Sequence, residues 1–246
     1  MQNLICLYVT HYRLYATHSI IYTIHLMTTR LLGGYMFNFS ESTMITLIAG
    51  LPAIVIAMSV HEFAHAYAAD KLGDPTPGMM GRLTLNPIVH VDIIGLVMLF
   101  IAQIGWARPV MINPRYFKNP RRDDILVSLA GPFANLITAF LSLFTLYAID
   151  AYTGSIARGT ELVFTLITIY NINFAIFNLL PIPPLDGSSI IKNLLPYSWV
   201  EQIESLERYS IFLFIILINL PFFRTFFVFL QRIVMGIYLS IMHLIF

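Results

Sequence analysis

Apolar residues along this chain gather into long blocks. Short stretches dense in proline, glycine and charge separate them. A membrane-spanning helix needs about 20 mostly apolar residues, and residues 43–68 meet that length in one run. The following "DKLGDPTPGMMGRLTLNP" predicts a loop with a short strand at Arg82–Leu85. Residues 93–107, "IIGLVMLFIAQIGWA", are apolar but number only 15, short for a straight crossing. After "RPVMINPRYFKNPRRDD", two uncharged runs near 125–149 and 162–180 predict two more spanning helices, the second ending at "NLLPIPPLDG". An amphipathic stretch through 188–208 follows. Residues 209–220 and 225–246 then predict one or two further helices, broken at "NLPFFR". The pattern predicts an all-α polytopic membrane protein. It is a helical bundle of about four to six transmembrane helices, with a small re-entrant or β-containing element after the first.

Basic residues set an orientation. Lys71 and Arg82 follow the first helix, and Arg108, Arg115, Lys118, Arg121 and Arg122 precede the next long one. If both loops face the cytoplasm, segment 93–107 enters and leaves on one side. Irregular backbone at that depth is tolerated only against protein or a water-filled cavity. The ends of helices 43–68 and 162–180 then share the cytoplasmic side.

Composition sharpens this picture. Of 246 residues, 58% are hydrophobic and 11% charged, against about 25% charged in a soluble domain. Mean hydropathy is +0.76. A soluble enzyme with an anchor is thereby excluded. The net charge of +1 offers no polyanion-binding surface, so no nucleic-acid partner is expected. The single Cys6 excludes an intrachain disulfide and a cysteine metal site. Residues 1–35 lack a clean apolar core or signal-peptide pattern. They read as an extension or a mis-assigned start, with 36–208 as the core and 209–246 as a C-terminal helix or helix pair.

Against this apolar background, "HEFAH" at 61–65 places three ionisable groups inside the first spanning helix. Each costs a few kcal/mol at the bilayer centre, so a bound partner is required. His61 and His65, four apart, lie on one helix face and form a two-imidazole grip for Zn²⁺, with Glu62 beside it as a general base. Zinc lowers the pKa of a bound water from 15.7 to about 7. A catalytic site usually has a third protein ligand. Asp150 lies at the far end of its helix. Asp186 directly follows the helix that ends on the same side as His65. There, Pro181, Pro183 and Pro184 prevent regular helix and Gly187 permits a turn. An Asp-Gly after prolines is also an ordinary turn, and the shared side favours the ligand reading. His90 and Asp92 in "NPIVHVD" form another polar pair, read first as a turn capping segment 93–107. His11, His18 and His25 recur every seven residues without an acidic partner and are read as incidental.

"HEFAH" at 61–65, "GPFAN" at 131–135 and "NLLPIPPLDG" at 178–187, in that order, resemble the site-2 protease family of intramembrane zinc metalloproteases. The loops "GRLTLNPIVHVD" and "GWARPVMINPRYFKNPRRDD" are similar to its compact bacterial branch, which lacks a PDZ domain. The likeness covers about 45–190. It implies His61, His65 and Asp186 as ligands of one zinc ion and Glu62 as catalytic base. It also implies a multi-pass protein of the bacterial cell membrane, with its site toward the cytoplasm, in contact with the lipid bilayer and acting on a transmembrane protein substrate. Asn135 and Asn178 fall on the family's motif asparagines, which implies contact with an extended substrate backbone or an oxyanion. Helix–helix hydrogen bonding is the other reading of these two amides. Gly131 and Pro132 imply close packing and a local bend. Two other functions fit the same residues. One is a transporter or channel using the cluster as a proton or metal pathway. The other is an inactive relative that binds membrane proteins.

Overall fold

The structure, a computed structural model, describes residues 41–102, 105–196, 198–200, 209, 212, 216–217 and 220–246. The expectations for residues 1–35, for His11, His18 and His25, and for most of 201–219 lie outside these. Among the described residues the helices are α1 (Glu41–Lys71), α2 (Thr76–Met79), α3 (Ile93–Ala102), α4 (Pro120–Thr153), α5 (Arg158–Asn178), α6 (Asp186–Leu194) and α7 (Pro221–Ile245). Short 3₁₀ turns lie at Pro87–Val89 and Pro114–Tyr116. Four helices are long and apolar enough to cross a membrane: α1 over Ile48–Lys71, α4, α5 and α7.

Unlike those of a soluble bundle, these helices also turn apolar stripes outward. Leu126, Leu129, Phe133, Ile137 and Leu141 recur at three- and four-residue spacing along α4 and are all exposed, an apolar stripe suited to lipid. Phe222, Phe226, Phe229, Ile233 and Ile237 do the same along α7. The interior combines apolar packing, such as Leu143, Leu166, Ile169 and Ile172, with polar side chains: Ser128, Asn135, Ser142, Thr165, Thr168, Asn171 and Gln231. Small buried residues, Ala57, Ala66, Ala139 and Ala175, let the helix backbones approach closely. α7 is tied to the bundle by Gln231 Nε2, which donates to Asn173 Oδ1 at 2.9 Å, and by Tyr238 Oη, which donates to Leu136 O at 2.8 Å.

The loops between α1 and α4 differ from expectation in one place. Arg82–Leu85 is a bend, not a strand. Arg82 instead turns inward, is buried, and donates to Val89 O and Arg108 O. The extended contact forms farther on. Val91 and Ala107 make an isolated antiparallel bridge, and Arg108 N donates to His90 O at 2.8 Å. The two flanks of α3 are therefore paired, and the segment returns to the side it left. Gly95 makes this return possible. A side-chain carbon there would stand 2.3 Å from Trp106 O.

Candidate metal centre

His61 and His65 sit one turn apart on α1, both buried, with ring centroids 4.5 Å apart in an edge-on arrangement. α5 ends at Asn178, and the proline-rich turn after it leads directly into α6, whose first residue is Asp186. The Pro183–Pro184 peptide bond in that turn is cis. Gly187 sits so close to the end of α5 that a Cβ would lie 2.3 Å from Leu179 O and 2.4 Å from Leu180 O. The glycine allows α6 to start against α5 and aims Asp186 back at α1. Asp186 Oδ2 lies 3.1 Å from His61 Nε2 and 3.3 Å from His65 Nε2, and the two Nε2 atoms are 3.0 Å apart. Three donor atoms on a tetrahedral zinc ion, with bonds of about 2.0–2.1 Å, stand roughly 3.3 Å from one another. The observed triangle fits, and these three residues can hold a metal ion.

The hydrogen bonds behind the imidazoles test that fit independently. His61 Nδ1 is 2.7 Å from Asn135 Oδ1, and His65 Nδ1 is 2.8 Å from the carbonyl of Val127. Both partners are acceptors, so in each neutral ring Nδ1 carries the proton and Nε2 presents a lone pair. Two lone pairs and a carboxylate oxygen then face one another at about 3 Å. Asp186 Oδ2 is buried with no hydrogen-bond partner. Only a cation or an added proton reconciles the three.

α4 supplies the floor. Gly131 lies against both rings: a Cβ there would be 2.5 Å from His65 Nε2 and 2.6 Å from His61 Cε1. Pro132 lacks the N–H that would bond Ser128 O and so loosens the helix ladder beside Val127. Phe174 of α5 meets the His61 ring edge-on at 5.2 Å.

Glu62 is buried beside His61, and its Oε2 accepts the N–H of Val110 at 3.0 Å. Val110 belongs to the extended stretch 107–113, a strap fixed at both ends. One end is the pairing of Ala107 and Arg108 with Val91 and His90. The other is Asp74, fully buried, whose Oδ2 accepts Asn113 N at 2.7 Å while its Oδ1 accepts Thr76 N and Oγ1. Ile112 packs on Ala69, Phe117 and Val127 between the ends of α1 and α4.

The remaining residues singled out by sequence fall elsewhere. Asn135 is fully buried, and its Nδ2 donates to Ala57 O and Asn171 Oδ1, so its amide protons are directed at the protein interior. Asn178, half-buried at the end of α5, donates to Phe174 O at 2.9 Å. His90 Nε2 lies 2.7 Å from Thr84 O, and Asp92 Oδ1 accepts Gly95 N at 2.8 Å in the first turn of α3. Asp150 lies 23 residues along α4 from Val127, roughly 34 Å at the helical rise. Sequence reasoning missed Val110, Asp74 and Asn171. The amide of Val110 is a main-chain group and leaves no trace in residue type. Asn171 did leave one, as an amide in the middle of the uncharged run 162–180.

Comparison with known proteins gives concordant findings. Residues 146–220 match Peptidase family M50. The chain is 41% identical over 172 residues to "Putative zinc metalloprotease YwhC" of Bacillus subtilis, covering 68% of this chain and 78% of that one. It is 33% identical over 172 residues to "Putative zinc metalloprotease Rip2" of Mycobacterium tuberculosis, covering 65% and 64%. The Rip2 protein of Mycolicibacterium smegmatis is 29% identical over 186 residues, covering 72% and 68%. No solved structure matches the chain.

Proposed function

Because the chain belongs to peptidase family M50, we propose that it is an intramembrane zinc endopeptidase that hydrolyses peptide bonds within or near transmembrane segments of other membrane proteins. One juxtaposition carries the proposal: three ligand atoms on edges of 3.0–3.3 Å, with a buried carboxylate next to them, among helices able to span a membrane. His61, His65 and Asp186 are the residues that would hold one Zn²⁺. Bound there, zinc supplies a Lewis acid that polarises a carbonyl and brings the pKa of water from 15.7 to about 7.

The chain's own residues do the rest. Glu62 is the general base: with Oε2 held by Val110 N–H, its carboxylate takes a proton from the attacking water and returns it to the departing amine. A base at this position must stay off the metal, and the bond from Val110 serves that end. Asn178, at the partly exposed rim of α5, is the candidate contact for substrate backbone. The basic residues Lys71, Arg115, Lys118 and Arg121 flank the ends of α1 and α4 nearest the centre. By the positive-inside rule they direct it toward the cytoplasm.

The test is Glu62→Gln in the full-length protein. The variant should retain zinc at one ion per chain after purification in detergent. Membrane fractions of cells carrying it should accumulate uncut membrane proteins that wild type processes. Cleavage by Glu62→Gln at the wild-type rate would reject the mechanism. Purified wild-type protein without zinc would reject the metal centre itself.

A further inference from the structure

Behind His61 runs a line of buried amides that no feature of the catalytic motif requires. Asn171 Nδ2 donates to Ile167 O at 2.8 Å; Asn135 Nδ2 donates to Asn171 Oδ1 at 2.8 Å and to Ala57 O at 2.9 Å; Asn135 Oδ1 faces His61 Nδ1 at 2.7 Å. Asn135 and Asn171 are both fully buried.

The direction of every bond in this line is determined. An amide can flip, exchanging its donor and acceptor ends. A main-chain carbonyl cannot, because it only accepts. Ile167 O therefore pins the donor end of Asn171, which turns its Oδ1 to Asn135. Ala57 O and Asn171 Oδ1 together claim both protons of the Asn135 amide, which turns its Oδ1 to His61. His61 Nδ1 must then carry a proton, and Nε2 is left as the lone pair that faces His65 and Asp186. With an apolar residue at 171, one proton of Asn135 would be buried without an acceptor, which is costly. Ala57 O alone would then hold the Asn135 amide, and its grip on His61 would loosen.

We propose that Asn171 is a positioning residue for the metal centre, acting through Asn135 to hold His61 with Nδ1 protonated and Nε2 presented to the cation. This rests on the reading of His61, His65 and Asp186 as metal ligands. Asn171 touches neither metal nor substrate in this scheme, so its effect is on metal affinity and, through it, on activity.

The experiment is a Zn²⁺ competition titration against a chromophoric chelator, with the full chain in detergent. Asn171→Leu should raise the dissociation constant for zinc about 10–100-fold, the usual effect of losing an outer partner of a metal ligand. Asn171→Asp, neutral in this apolar interior, can donate its acid proton to Ile167 O while its other oxygen accepts from Asn135, and should stay close to wild type. Thr168→Val is the structural control. Thr168 is fully buried one turn earlier on α5 and donates to Phe164 O at 2.8 Å. Its loss should lower thermal stability without moving zinc affinity. If Asn171→Leu does not fold, Asn171→Ser replaces it, since the shorter hydroxyl can satisfy Ile167 O but does not reach Asn135. Wild-type affinity in the Leu or Ser variant overturns the proposal, as does an equal loss in Thr168→Val. Failure of the wild-type chain to bind zinc would instead overturn the metal centre.

Discussion

Gly131→Ala places one methyl group in contact with His61 and His65, the two imidazoles proposed to hold the metal. The new carbon would stand 2.5 Å from His65 Nε2, 2.6 Å from His61 Cε1 and 2.7 Å from His61 Nδ1. Ordinary contact between such atoms begins near 3.5 Å, so the rings must retreat by about 1 Å. A zinc site holds its ligands within about 0.2 Å of ideal distance, and the displacement is several times larger. The methyl also occupies space beside the Nε2 that would bind the metal. Neither ring can retreat freely: Asn135 and Val127, on the same helix as Gly131, tether their Nδ1 atoms at 2.7 and 2.8 Å. Two costs follow, and they separate experimentally. Overpacking lowers the stability of the metal-free protein by about 1–3 kcal/mol. Zinc affinity falls by at least 100-fold, so at zinc about 100 times the original dissociation constant the linked stabilisation drops from about 2.7 to about 0.4 kcal/mol. Thermal unfolding with and without chelator measures both: the wild-type protein gains stability from zinc, and the variant gains little. Gly236→Ala is the comparison, because a Cβ at 236 meets nothing within 4 Å. Wild-type zinc affinity in Gly131→Ala would show that α4 does not pack against the ligands as described, and the reasoning fails.

Two further substitutions act on the supports of the centre. Asp74→Ala removes the acceptor of Asn113 N and frees one end of the strap that holds Glu62. Cleavage of a membrane-protein substrate should slow roughly 10–100-fold with zinc content unchanged, and an unchanged rate would detach the strap from catalysis. Asn193→Ala removes the donor to Asp124 that ties α6 to α4. Asp186 leads that same helix, so zinc affinity should fall about 10-fold. The exchange Asp124→Asn with Asn193→Asp should restore it, and a double variant no better than Asn193→Ala would argue against this tie.

The spanning helices were legible because lipid demands long uninterrupted apolar runs, and 43–68, 125–149 and 162–180 fall within α1, α4 and, but for the last two residues, α5. The meeting of Asp186 with His61 and His65 was favoured by chain direction, since α1 and α5 end on the same side, against the reading of Asp186 and Gly187 as an ordinary turn. The strap was not legible. Its contribution is the N–H of Val110, and any residue but proline supplies one. Loop composition pointed to a strand at Arg82–Leu85, where the chain bends, because extended pairing was settled by the return of α3 onto Trp106 and not by local preference. Asn135, read from sequence as a substrate contact or a helix–helix hydrogen bond, carried a further positional signal. It lies four residues after Gly131 and thus on the same face of α4, the face that a missing side chain opens to the imidazoles.

The ligand set is oriented by main-chain carbonyls, and this suits a site inside a membrane. Ala57 O on α1, Val127 O on α4 and Ile167 O on α5 each end a line of hydrogen bonds that reaches His61 or His65. A helical carbonyl has a second lone pair after its helix bond is made, and its position is set by the helix and not by a rotamer. In a soluble enzyme, water could replace such an acceptor when a side chain moves. In an apolar interior no substitute is at hand, so the proton on each Nδ1 stays where the three helices place it. The arrangement makes metal binding a reporter of helix register. A shift of α5 by one residue would carry Ile167 O and Asn171 about 100° around the helix axis, breaking the line to His61 even though His61 and His65, on α1, had not moved.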